Sequence, residues 1–189
     1  MRDDEFLRGQ RVPMTKEPVR LLVLERLELT GARRLIDVGA GTGSVALEAA
    51  LRFSQLQVTA IERNPAALAL IAENCRRLGC RNVDIIAGEA PFPLTEIADA
   101  VFIGGSGGQL AALIDWALDH LSPGGRLVLT FILLDNLHTA LAHLQSLNVT
   151  SLECTQLQVA TLTPLGRGHY FKPGNPTYLI SCCKEQNHV

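Results

Sequence analysis

The chain has 189 residues, of which 47% are hydrophobic and 19% charged, and its formal net charge is −2. That balance fits one soluble globular domain over residues 1–189, large enough for a sizeable core. No run of eighteen apolar residues offers a membrane span, and the near-neutral charge gives no general attraction to nucleic acid.

The opening Met1-Arg2-Asp3-Asp4-Glu5 is charged, with no apolar segment behind it, so no secretory signal is expected. The first twenty residues lie outside any sheet pattern and are expected to form a flap or a short helix. Strand-like runs then alternate with helical spacing, which predicts a parallel α/β sheet. The strands expected are Arg34–Val38, Gln57–Glu62, Val83–Ala87, Ala100–Gly104 and Arg126–Phe131. Asn64-Pro65 reads as a helix cap with proline at the first helical position, and Gly79 ends that helix. Leu110, Leu113, Ile114, Ala117 and Leu121 mark a second helix, and Leu137, Leu141, Leu144 and Leu147 a third. Ser122-Pro123-Gly124-Gly125 is a turn into the fifth strand. Leu152–Ala160 and Thr177–Cys183 read as two further strands with no helix between them, hence antiparallel neighbours. Their connector, Thr163 to Pro176, is rich in glycine and proline and is expected to be a loop. Cys75, Cys80, Cys154, Cys182 and Cys183 show neither a C-x-x-C pair nor zinc-type spacing, and read as reduced, mostly core residues of a cytoplasmic protein. No metal site is expected.

Leu35 to Gly43 carries the strongest signal. A short apolar strand runs into Gly39-Ala40-Gly41-Thr42-Gly43 and then into a helix whose free N–H groups point back at the loop. A dinucleotide fingerprint would need its third glycine at position 44, where Ser44 stands. The compact G-x-G-x-G form resembles the first motif of the Rossmann-like, class I S-adenosylmethionine-dependent methyltransferases. That class has a mostly parallel seven-stranded sheet with a C-terminal antiparallel hairpin, the architecture expected here. In open α/β sheets ligands bind at the carboxyl ends of the strands. Glu62 ends the second strand, 23 positions after Gly39, where a carboxylate can accept both ribose hydroxyls of a nucleoside; Arg63 follows it. Gly88-Glu89-Ala90 follows the third strand and would flank an adenine ring. Gly104-Gly105-Ser106-Gly107-Gly108 follows the fourth and lacks the Asn/Asp-Pro-Pro-aromatic motif common in enzymes that methylate base amino groups. A glycine shelf there leaves room for a large, flat substrate.

With these motifs the chain resembles the cobalt-precorrin C15-methyltransferases (decarboxylating) of cobalamin biosynthesis. The matching segments are Asp3-Asp4-Glu5-Phe6, Val12-Pro13-Met14-Thr15-Lys16, Asp37–Gly43, Glu62-Arg63-Asn64-Pro65, Gly88-Glu89-Ala90, Gly104–Gly108 and Pro123-Gly124-Gly125-Arg126. The N-terminal segment together with Gly-Gly-Ser-Gly-Gly is the more specific part. Ala40 is a departure where relatives carry another small residue. The resemblance implies methylation at C15 of cobalt-precorrin-6B and loss of CO₂ from its C12 acetate, giving cobalt-precorrin-7. It further implies a homotetramer and a role for Thr15 in holding S-adenosylmethionine; with no second methyltransferase domain read in this chain, any methylation at C5 is expected of a separate protein. The cofactor residues expected are Thr15, Gly39, Ala40, Gly41, Thr42, Gly43, Glu62, Arg63, Glu89 and Ala90. The substrate carries many carboxylates, so Gly104, Gly105 and Ser106 are expected to face it together with cations from two loops: Arg8, Arg11 and Lys16, then Arg167, His169 and Lys172. No acid or base is assigned beyond His169, and Tyr170 could stack on the macrocycle. Two rivals stay open, a methyltransferase acting on RNA or protein and a non-catalytic nucleotide-binding module.

Overall fold

A computed structural model describes residues 1–105 and 107–186. Its centre is a seven-stranded sheet in the order β3-β2-β1-β4-β5-β9-β6. The strands are β1 Arg34–Val38, β2 Gln57–Glu62, β3 Val83–Ala87, β4 Ala98–Ile103, β5 Leu121–Phe131, β6 Val149–Leu157 and β9 Thr177–Lys184. Strands β1 to β5 run parallel. Only β9 is antiparallel, wedged between β5 and β6. The order reverses direction between β1 and β4, the switch point at which such sheets bind ligands.

Side chains alternate across the strands and fill two apolar layers. Leu35, Val58, Ala100, Phe102 and Val128 pack under α1 Glu17–Arg26 and α2 Ser44–Arg52. Ile36, Val38, Val101, Ile103 and Leu129 pack under α4 Leu110–Asp119 and α5 Leu134–Gln145. The remaining helix, α3 Pro65–Leu78, starts on the Asn64 cap, whose side chain accepts the Ala66 N–H, and stops at Gly79 in the left-handed region.

Several expectations need correction. β4 was expected at Ala100–Gly104 and runs Ala98–Ile103, and β6 was expected at Leu152–Ala160 and runs Val149–Leu157. The segment between the terminal strands is not a plain loop: Ala160–Leu165 (β7) and Gly168–Pro173 (β8) pair as a separate antiparallel ribbon. Alternating threonines and bulky apolar residues favour extension, and Gly166-Arg167 closes a two-residue turn, so the glycine and proline content marked the ends of the strands and hid their bodies. The cysteines are also less uniformly internal than expected: Cys182 is buried, Cys75, Cys80 and Cys183 are half-buried, and Cys154 is exposed. Burial pushes the Cys182 thiol up to about 12. The N-terminal residues form a short 3₁₀ turn at Asp3–Glu5 and an extended strap that leads into α1.

Candidate active site

The strand ends at the switch point converge on the glycine-rich loop. Gly39 and Ala40 donate their N–H groups to the Ile61 carbonyl at 2.9 and 3.1 Å, closing the β1 loop onto β2. Gly39 has φ +73°, and a Cβ there would sit 2.9 Å from the Gly105 nitrogen of the loop after β4. Gly41 has φ +59°, and a Cβ there would sit 2.5 Å from the Pro13 carbonyl oxygen of the strap. Both positions therefore require glycine for conformation and for space. Glu62 fastens the cradle. Its Oε2 accepts the Gly41 N–H at 2.9 Å, and its Oε1 accepts those of Arg63 and Asn64 at 2.9 and 2.8 Å. Three of its four acceptor sites thus serve the backbone, leaving one on Oε2.

Arg63 donates to Glu89 Oε1 at 2.5 Å and ties the β2 and β3 ends together at the surface. Gly107 packs directly on that glutamate. Ala90 beside it is buried. The loop that carries Glu89 and Ala90 is moored by its carbonyls: Trp116 Nε1 donates to Phe92 O at 2.7 Å, and His120 Nε2 lies 2.8 Å from Leu94 O.

Asp37 was not among the expected site residues. It is fully buried, its Oδ2 accepts the Ala46 N–H at 3.1 Å, and its Oδ1 has no partner. Burial raises its carboxyl to about 7, against the hydrogen bond from Ala46 and with help from the nearby Glu62 charge. The hydroxyl of Thr42 is likewise buried and unpartnered. An acidic residue inside an apolar strand, two positions before a glycine turn, was the signal available in the sequence.

Beyond Gly105 the loops open into a cleft of about 860 Å³. Thr15, Lys16, Gly104, Gly105 and Lys172 line it, with an apolar floor that includes Met14, Phe131 and Leu133. The expected cations therefore separate. Lys16 and Lys172 reach the cleft, whereas Arg8, Arg11, Arg167, His169 and Tyr170 do not line it. The ribbon explains the last three. Thr161 and Lys172 form one register pair, and Pro164 opposite His169 lies three residues further out, about 10 Å along the strand. Ser106 lies outside the described residues.

The strap that walls both cradle and cleft is held by a buried polar network. Arg20 is completely buried. It donates to Glu48 Oε2 at 2.5 Å, to Asp3 Oδ1 at 3.1 Å, and to the Thr15 and Met1 carbonyls at 2.6 Å each. Glu48, also buried, takes the Met1 α-amino group at 2.7 Å and Arg52. Burial alone would raise the Glu48 carboxyl, but the bonds from Met1, Arg20 and Arg52 hold it below the usual carboxylate range. Asn74 holds the strap from the α3 side. These residues were legible only as polar interruptions of apolar stripes: Arg20 before Val23 and Leu24, Glu48 in an alanine-leucine run, Asn74 between Ile71 and Leu78.

Known proteins resemble this chain in sequence and fold. The model of the precorrin methyltransferase domain matches residues 7–184. The cobalt-precorrin-6B C(15)-methyltransferase (decarboxylating) of Salmonella typhimurium is 65% identical over 189 residues, covering 100% of this chain and 98% of that one. The crystal structure of precorrin-6y C5,15-methyltransferase from Geobacter metallireducens is 34% identical, with a TM-score of 0.89 over 96% of this chain and 95% of the other. That of precorrin 8w decarboxylase from Methanobacterium thermoautotrophicum is 35% identical, with a TM-score of 0.85 over 96% and 98%. A glycine cradle at the switch point, an antiparallel β9 and a strap over both sites thus occur in a chain that belongs to the precorrin methyltransferase domain family.

Proposed function

We propose that this protein methylates C15 of cobalt-precorrin-6B and removes CO₂ from the C12 acetate side chain, yielding cobalt-precorrin-7. The observation that carries this reading is the contact of Gly39 with Gly105, which sets the glycine cradle directly against a large cleft with an apolar floor and a lysine on each of two walls. The full-length identity of 65% to a protein of that name supports the same chemistry.

The cofactor proposed is S-adenosylmethionine, and the residues present fit it. Gly39 and Gly41 let the loop close against Gly105 and Pro13, one Glu62 lone pair stays free for a polar group, and the buried Asp37 Oδ1 and Thr42 Oγ1 have no partner of their own. Thr15, Ala40, Gly43, Arg63, Glu89 and Ala90 complete the proposed binding set. When bound, this cofactor supplies an electrophilic methyl group on a sulfonium. The protein's part is to hold the accepting carbon in line with it, where positioning lowers the barrier. Lys16 and Lys172 would take peripheral carboxylates from the strap and the ribbon, and Gly104 and Gly105 would let the ring lie close. Overall, the methyl arrives as a cation and the carboxylate leaves as neutral CO₂, so the electron pair left behind offsets the charge gained. The conjugated ring carries that pair, and the methylene left at C12 takes up a proton while the ring releases one, so the net reaction exchanges no proton with its surroundings.

Residues 1–189 act as one domain in this reading, in the cytoplasm, with methylation at C5 left to a separate protein. A homotetramer is supported by the ribbon. Leu162, Leu165 and Phe171 are 57%, 67% and 68% exposed there, beside Ile132 and Leu133, and an isolated two-stranded ribbon of that kind is marginal in water.

The test is mass spectrometry of cobalt-precorrin-6B incubated with the protein and methyl-labelled S-adenosylmethionine. One labelled methyl gained and one CO₂ lost is the expected product. Gain without loss removes the decarboxylase half, and an unchanged substrate with intact cofactor binding removes both.

A further inference from the structure

We propose that Asn74 couples the two binding sites, so that the cofactor and the macrocycle bind cooperatively; this rests on the functional reading above. Asn74 is fully buried on α3. Its Oδ1 accepts the Leu7 N–H at 2.7 Å, and its Nδ2 donates to the Leu7 carbonyl at 3.1 Å. The other Nδ2 hydrogen goes to the Thr42 carbonyl at 3.1 Å, in the middle of the glycine-rich loop. Both donors of the amide are thereby used, one on the strap and one on the cradle.

The ring closes a second time. Thr42 donates its own N–H to the Pro13 carbonyl at 3.3 Å, and Ser44 Oγ donates to the Thr15 carbonyl at 3.3 Å. Strap residues 7 to 15 and loop residues 41 to 44 therefore hold one another both directly and through Asn74. The end of the same strap lines the cleft through Pro13, Met14, Thr15 and Lys16. A ligand in the cleft fixes the backbone that supports the cradle, and a ligand in the cradle fixes the wall of the cleft. Whichever binds first bears the ordering entropy of the strap, and the second binds more tightly. Linkage makes the factor equal in both directions.

The experiment is calorimetric titration of S-adenosylhomocysteine, which cannot turn over, into the full-length protein with and without saturating cobalt-precorrin-6B. Wild type is expected to bind about tenfold more tightly in the presence of the macrocycle. Asn74→Asp keeps the shape and the acceptor for Leu7 but removes both donors. It should reduce the factor to less than about threefold. A merely structural asparagine would shift both affinities and keep their ratio. The proposal is overturned if wild type shows no such factor, or if folded Asn74→Asp retains it. Should that variant fail to fold, hydrogen exchange on wild type decides. Macrocycle alone must slow exchange at residues 7–16 and 41–43, and unchanged exchange there overturns the coupling. A macrocycle that does not bind wild type at all defeats the functional reading instead, and the coupling with it.

Discussion

The strap over the glycine-rich loop and the β7–β8 ribbon both border the cleft, yet they are built on opposite principles. The strap is half-exposed but tied down by buried polar residues of three helices: Arg20, Glu48 and Asn74 each make two or more hydrogen bonds. The ribbon is apolar and exposed, with every residue except Thr163 largely open to solvent. A wall that must hold a small cofactor can be completed within one chain. The ribbon's apolar residues have no layer of their own chain to cover them, and its ladder is its only internal support.

The largest effect expected from breaking this contrast is at the strap. Arg20→Met should cost about 3–5 kcal/mol, because it leaves the buried Glu48 without its main partner. Arg167→Met on the ribbon turn should stay within about 0.5 kcal/mol. Urea unfolding of the two variants checks both figures.

Next comes the pH dependence of the cradle. Asp37 ionises less readily in the fold than in the unfolded chain, where an aspartate titrates near 4. Below that pH both states hold the proton and stability is complete. As pH rises from about 4 through about 7 the unfolded chain ionises first, so stability falls, by about 4 kcal/mol for a displacement of this size. Asp37→Asn should therefore gain on wild type between pH 4.5 and pH 7.5, and parallel curves for the two proteins would refute the assignment.

Gly41→Ala should weaken S-adenosylhomocysteine binding about a hundredfold, since its Cβ meets the Pro13 carbonyl in addition to the left-handed strain. Gly31→Ala has the same backbone sign, φ +82°, but nothing within 4 Å. It should cost about 1–2 kcal/mol of stability and leave the affinity intact. Calorimetry separates the two. The smallest effect on folding should come from Leu165→Ser with Phe171→Ser on the ribbon, within about 0.5 kcal/mol each. Sedimentation should nonetheless show the proposed homotetramer falling apart; an unchanged assembly would place the interface elsewhere, and a monomeric wild type would refute the homotetramer.

Three of the strands at the sheet's centre and edge were readable to the residue, whereas β4, expected at Ala100–Gly104, runs Ala98–Ile103. β1, β2 and β3 each combine an apolar run with a glycine or Asn-Pro stop, and such local signals need no knowledge of the rest of the chain. The β5 boundary was missed because Ser122–Gly125 is an excursion between two paired pieces of strand: Ala98 pairs with Leu121 and Ala100 with Arg126. The ribbon was missed because its pairing is visible only when both halves are placed together. Among the site residues, Gly39, Gly41 and Glu62 announced themselves by spacing. Arg20, Glu48 and Asn74 did not, since a polar residue in an apolar stripe has no meaning until its partner is known.

The sequence by itself determined the α/β order and the cradle, because these are written in short-range periodicity and in glycines that only close backbone approach requires; the family was reached through the resemblance of its motifs. Tertiary structure decided which cations face the cleft, that Glu62 spends most of its acceptors on its own loop, and that Asn74 joins residues 67 and 32 positions away. Those are long-range pairings, settled by the burial of polar groups that must find partners once water is excluded, and nothing in the linear spacing encodes which partner each one finds.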